Sequence, residues 1–102
     1  MANKINYSPL AQSDLDEIFN YISDTLQNPS AAQNTISGIF DSHEILKDFS
    51  EVGTQLFLGK TLTDYRFVRY NNYLSFYRIV DEDVFIDRIL YGGRDYIKVL
   101  FE

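Results

Sequence analysis

The 102-residue sequence has no cysteine and no tryptophan, and only one histidine, one methionine, two prolines and five glycines. Without cysteine there is no disulfide framework and no thiolate chemistry, which suits a reducing compartment. The opening residues, MANKINYSPL, lack the apolar core of a secretion signal, and no window approaches the roughly 20 apolar residues of a membrane span. The expectation is a cytoplasmic protein with no membrane partner. Metal-ligand spacings, nucleotide-binding glycine loops and nucleophile motifs are also missing, and Gly92-Gly93 lacks the lysine and hydroxyl context of a phosphate loop. No metal and no cofactor is expected.

Positive charge is scarce too. Nine lysines and arginines face fifteen acids, a net charge of −6. The deficit lies entirely in residues 1–64, where Lys4, Lys47 and Lys60 meet nine acids, whereas residues 65–102 balance six bases with six acids. Such a chain repels polyanions at long range, so binding nucleic acid would require a local concentration of cations. Arg66, Arg69 and Arg78 could supply one, because no acid lies between Tyr65 and Val80.

What the chain does have is apolar and aromatic content: 45% hydrophobic residues, enough for one core and one domain spanning residues 1–102. The most patterned stretch runs from Tyr65 to Tyr96. Asn71-Asn72 reads as a hairpin turn between strands at Tyr65 to Tyr70 and Tyr73 to Val80, since asparagine tolerates the left-handed backbone such turns use. Asp81-Glu82-Asp83 reads as a solvated turn that returns Val84 to Leu90 along the previous strand. The prediction is a three-stranded antiparallel meander. In its middle strand neither face is wholly polar, so one face is expected under helices and the other is expected to offer aromatic rings and arginines to a partner. Val84 to Leu90 alternates poorly, because Asp87 and Arg88 interrupt both faces, and no register follows for it.

Upstream, Lys4 to Tyr7 is a short extended run and Ser8-Pro9 is a helix start, a capping hydroxyl followed by a proline preset for the first turn. Ala11, Leu15, Ile18, Ile22 and Leu26 then form one apolar stripe. Asp14, Asp16 and Glu17 could be general bases or metal ligands, but they read better as charges favouring the positive end of the helix dipole. Asn28-Pro29-Ser30 opens a second helix with Ala32, Ile36, Ile39, His43 and Leu46 on its stripe, giving an antiparallel hairpin. Gly38 suggests that the two helices approach closely there. His43 is read as a structural histidine, isolated from the arginine-rich strands. Phe49 to Asp64 reads as a loop with a short extended piece at Gln55 to Leu58, and the tail from Tyr96 to Phe101 is too apolar for a solvated end. It packs on the core or is covered by a partner.

The pattern YRFVRYNNYLSFYRI, an acidic turn and VFIDRILYGGRDY resembles the C-terminal half of the RelE/ParE superfamily, the toxins of bacterial type II toxin-antitoxin modules. The likeness covers most of the chain and implies an α+β fold: an N-terminal strand, a two-helix antiparallel hairpin, then the meander packed on the helices. It also implies a cognate antitoxin that wraps the toxin, with the aromatic strands and the helix hairpin as docking surfaces.

RelE-like members cut mRNA in the ribosome, which needs a proton acceptor, a proton donor and cations for the phosphorane. Arg66 and Arg94 match two of that branch's cationic positions. Val68, Leu74 and Leu100 stand where a lysine, an arginine and a tyrosine would be expected. The superfamily's other ribonuclease arrangement, a histidine-tyrosine pair near the last strand, has no histidine to fill it. If the chain were a ribonuclease, Arg66, Arg94 and Tyr96 would be its set, and Tyr91, Tyr96 and Arg94 could form an improvised one. The alternative reading pairs Arg94 with Asp95 and leaves the tyrosines as packing residues. ILYGGRDY and the apolar tail are closer to the ParE branch, whose members bind DNA gyrase rather than perform chemistry. The expected function is therefore a ParE-like gyrase inhibitor, with Arg66, Arg69, Tyr73, Arg78, Arg94, Tyr96 and Phe101 as candidate antitoxin or target contacts. The other expectations are a RelE-like ribonuclease with ribosome and mRNA as partners, and an inactive toxin fold kept for interaction.

Overall fold

The computed structural model describes residues 3–93 and 95–101. The elements run β1 (Ile5–Tyr7), α1 (Pro9–Asn20), α2 (Pro29–His43), β2 (Thr54–Leu58), β3 (Thr61–Tyr70), β4 (Tyr73–Val80), β5 (Asp83–Tyr91) and α3 (Tyr96–Phe101). The five strands form one sheet in the order β1-β5-β4-β3-β2, with β1 parallel to β5 and the other pairs antiparallel. The meander is thus the centre of a larger mixed sheet. The extended piece at Gln55 to Leu58 is a full edge strand, and β3 begins at Thr61, four residues before the aromatic run that signals it.

Both turns form where their residues allow it. Asn71 adopts φ 50° between β3 and β4, and Asp81 and Glu82 adopt φ 51° and 72° between β4 and β5. The poor alternation of β5 has a geometric cause. Phe76 pairs with Arg88 but Tyr77 pairs with Ile86, so Asp87 is the extra residue of a β-bulge and the pattern changes phase there.

The Ser8 hydroxyl caps α1 by accepting the Ala11 N–H at 3.0 Å, and Asn28 caps α2 in the same way through Ala31 at 3.1 Å. The apolar stripes face inward, with Ala11, Leu15, Ile39 and Leu46 joining Tyr77, Val84, Ile86 and Ile89 in the main core. Leu26 alone departs from its stripe and is exposed, because the chain leaves α1 through a widened π-helical turn, Tyr21–Thr25, in which Leu26 N–H reaches the Tyr21 carbonyl. Gly38 does mark a close approach, but to the sheet: a Cβ there would overlap the Tyr70 ring of β3.

The opposite sheet face is not left open. Leu56, Leu74, Phe76 and Leu90 form a second core, covered by Tyr96, Ile97, Val99 and Leu100 of α3. The rings of Phe76 and Tyr96 lie 5.2 Å apart, and those of Tyr65 and Phe101 5.8 Å apart. The apolar tail is thus largely spent on the chain's own sheet, on the face expected to be offered to a partner.

Candidate functional site

The arginines expected to form one patch are separated by the pleat and individually engaged. Arg66 shares a face with Val68 and Tyr70, on the helix side, and donates to the carbonyls of Glu51 and Gly53 at 3.0 and 3.2 Å. Its neighbour across the strands, Tyr77, is fully buried and ties down the same turn: its hydroxyl accepts the Gly53 N–H at 2.9 Å and donates to the Ser50 carbonyl at 2.7 Å. Arg66 and Tyr77 therefore anchor the turn that delivers the chain to β2. Arg69 and Arg78 lie on the other face. Arg69 is exposed and donates to the Asn71 carbonyl at 2.9 Å.

Arg78 forms a two-pronged ion pair with Asp87, the bulge residue, so the missing acid in Tyr65 to Val80 is supplied by the next strand. Burial and Asp87 together push the Tyr65 phenol up. Arg66 and Arg78 do line one open notch of about 400 Å³, but Asp64 lines it with them, which is poor provision for a phosphate. Tyr96 and Phe101 are on α3 against this second face, Tyr73 is on the helix side, and Arg94 lies outside the described residues. The candidate contacts thus divide between two faces.

His43 is structural, yet it is tied to the sheet that it was expected to stand apart from. Its Nδ1 is 2.8 Å from the Tyr7 hydroxyl and its Nε2 is 2.7 Å from the Ser75 hydroxyl of β4. Two hydroxyls suit a neutral ring, in which one nitrogen donates and the other accepts. Burial lowers its pKa to about 4 against a small opposing pull from Glu44, and burial raises the Tyr7 phenol to about 12. Neither group is poised to move protons near neutral pH.

Asp14 also differs from expectation. It lies beyond the first turn of α1, is buried, and accepts from the Arg88 guanidinium at 2.8 and 2.9 Å and from the Ile89 N–H at 3.0 Å. Because β1 pairs only with residues 84–86 of β5, the strand edge beyond is uncovered, and Asp14 satisfies it from the helix. It is a clasp between α1 and β5 rather than a first-turn dipole charge.

Beside that clasp is a cleft of about 650 Å³ that sequence reasoning missed. It is lined by Asp14, Glu17, Ile18 and Tyr21 from the helical side and by Tyr73, Ile89, Leu90 and Tyr91 from the sheet. Tyr73 and Tyr91 are cross-strand partners with rings 5.9 Å apart and steeply inclined, and burial together with the Tyr91 and Tyr21 hydroxyls pushes the Tyr73 phenol up. The available signal was Glu17 and Tyr21 at helical spacing; nothing in the sequence placed them opposite Tyr73 and Tyr91. Among the described residues no group of three or more His, Asp or Glu side chains could hold a metal, and no helix is long and apolar enough to cross a membrane.

Comparisons with known proteins agree with this architecture. The sequence model of the family described as "ParE toxin of type II toxin-antitoxin system, parDE" matches residues 5–96. Comparison with curated protein sequences gave no match. Among solved structures, one from the chromosomal ParDE toxin-antitoxin system of P. aeruginosa is similar at TM-score 0.72 and 17% identity, over 88% of this chain and 96% of that one. A chain of the RelBE2 toxin-antitoxin complex of Mycobacterium tuberculosis is similar at TM-score 0.59 and 18% identity, over 92% and 95%. A chain of the E. coli DinJ-YafQ toxin-antitoxin complex follows at TM-score 0.53 and 14% identity, over the full length of both.

Proposed function

Because the chain belongs to the ParE toxin family of type II toxin-antitoxin systems, we propose that it arrests growth by binding DNA gyrase and is neutralised by a cognate antitoxin that covers it. The observation that carries this reading is what occupies the positions where a message-cutting relative would need ionisable groups. Val68 packs on the main core, Leu74 is buried in the second, and Leu100 sits on α3 against that same core. Aliphatic side chains in these places hold the fold together and can neither stabilise a phosphorane nor carry a proton. Arg66 is held against backbone carbonyls and His43 is sealed in the core.

A protein that works by binding needs surface instead, and two of the exposed apolar clusters lie around the entry to the sheet. Phe57, Leu58 and Leu62 are exposed around the β2-β3 turn, and Ile45, Phe49 and Val52 are exposed on the segment between α2 and β2. These are among the proposed contact regions for target and antitoxin.

The test is induced expression alone and together with any small reading frame that adjoins the gene, followed by supercoiling assays with purified gyrase. Growth arrest relieved by the neighbouring frame, with supercoiling lost as toxin is added, is the expected result. Unimpaired growth with full gyrase activity would sink the reading and leave an inactive toxin fold.

A further inference from the structure

We propose that the cleft between α1 and the end of β5 is a socket for one basic side chain, arginine or lysine, carried on an apolar segment of the antitoxin. The inference rests on the antitoxin reading above and adds the chemistry that the partner must bring. Three tyrosines line the cleft: Tyr73 is half-buried, and Tyr21 and Tyr91 have 55% and 54% of their surface exposed. Tyrosine faces carry the negative part of the ring quadrupole and attract a cation held within about 6 Å. Rings this exposed are poorly used by the fold alone.

The charges at the rim have the same sign. Asp14 and Glu17 line the cleft, and Arg88, which is clamped on Asp14 and also feels Glu17, is the one cation beside them among the described residues. Two carboxylates and one guanidinium leave a single negative charge, and the Asp14 pair is already satisfied. Glu17 is exposed and makes no ion pair among the described residues, so it is the carboxylate left to receive a partner's cation. The chain's charge of −6 would steer a basic partner inward and repel nucleic acid.

The rest of the lining, Ile18, Ile89 and Leu90, is apolar, and the volume exceeds that of one side chain. The occupant therefore has a basic anchor with apolar neighbours, and its backbone stays at the open mouth.

The test uses the complex of this chain with the antitoxin identified by the co-expression test above, with affinity measured by calorimetry. Glu17→Lys and Tyr91→Leu should each weaken the complex by about tenfold or more, whereas Tyr91→Phe, which keeps the ring face, should stay within about threefold. Glu82→Lys, the same charge change at the β4-β5 turn, should also stay within about threefold. Raising salt should weaken the wild type more steeply than Glu17→Gln. Unchanged melting temperatures would show that the exposed substitutions leave the fold intact. If the complex forms and neither Glu17→Lys nor Tyr91→Leu weakens it beyond threefold, the socket is refuted while the antitoxin reading stands. If no complex forms with the wild type, the antitoxin reading fails and the socket's assigned occupant fails with it.

Discussion

The two faces of the sheet are closed by different means. On the helix side, residues such as Ile39, Leu46 and Tyr77 are fully buried, and polar ties made by Asp14, His43 and Tyr77 join helix or loop to the strands. On the other side the sheet's own Phe76 is equally buried, but its cover, α3, is six residues long and none of them is buried. The first face gains uniqueness from directional bonds, each costly to break one-sidedly, whereas the second rests on apolar contact that a few atoms can weaken by degrees. One closure is a set of clasps and the other is a patch.

That contrast predicts a steep hierarchy of substitutions. The largest effect is expected at Asp14, where removal strands the Arg88 guanidinium and the Ile89 N–H together: Asp14→Ala should cost about 4 kcal/mol in urea unfolding, and Asp14→Asn less. If Asp14→Ala costs under about 1 kcal/mol, the clasp is decorative.

The next effect depends on pH. The folded His43 ring accepts a proton only near pH 4, against 6.5 for the unfolded chain. Stability from the neutral ring is therefore complete above pH 6.5 and declines as pH falls from there towards 4, because the unfolded state takes up a proton that the fold refuses. The loss is about 3 kcal/mol in all. Comparison of unfolding free energies at pH 7 and pH 5 should show a smaller drop in His43→Gln than in wild type; equal drops would contradict the buried neutral ring.

Gly38→Ala should destabilise by about 1 kcal/mol, since overlap with the Tyr70 ring outweighs the helix preference for alanine. Pairing it with Tyr70→Leu should recover more than additivity allows, and strict additivity would mean that the two residues do not meet. Least of all, Phe101→Ala on the weaker face should cost less than about 1 kcal/mol, because the residue is 40% exposed and its main partner is one edge-on contact with Tyr65. A loss comparable to that of Asp14→Ala would erase the distinction between the faces.

The same contrast explains what the sequence disclosed. Local rules were readable: Ser8-Pro9 starts a helix, Asn71-Asn72 and Asp81-Glu82 turn the chain, and the stripes of α1 and α2 are the buried ones. Non-local pairing was not. Asp14 resembles any acid near the start of a helix until Arg88 and the Ile89 N–H arrive from 74 and 75 residues away. The extent of β2 and the early start of β3 were hidden because edge strands carry exposed residues of mixed character around Gly59. The bulge at Asp87 scrambled β5 by changing its phase, and the arginines looked free because their partners lie on other strands and turns. The tyrosine cleft joins residues from α1, β4 and β5 and its adjoining π-helical turn, so no window of sequence contains it.

The most direct test of an account in which this toxin acts through its surfaces is to incubate the purified chain with translating ribosomes and map the ends of the message. The account predicts an intact message at toxin concentrations that arrest gyrase. Cleavage that disappears in Arg66→Ala, with the variant still folded, would contradict it.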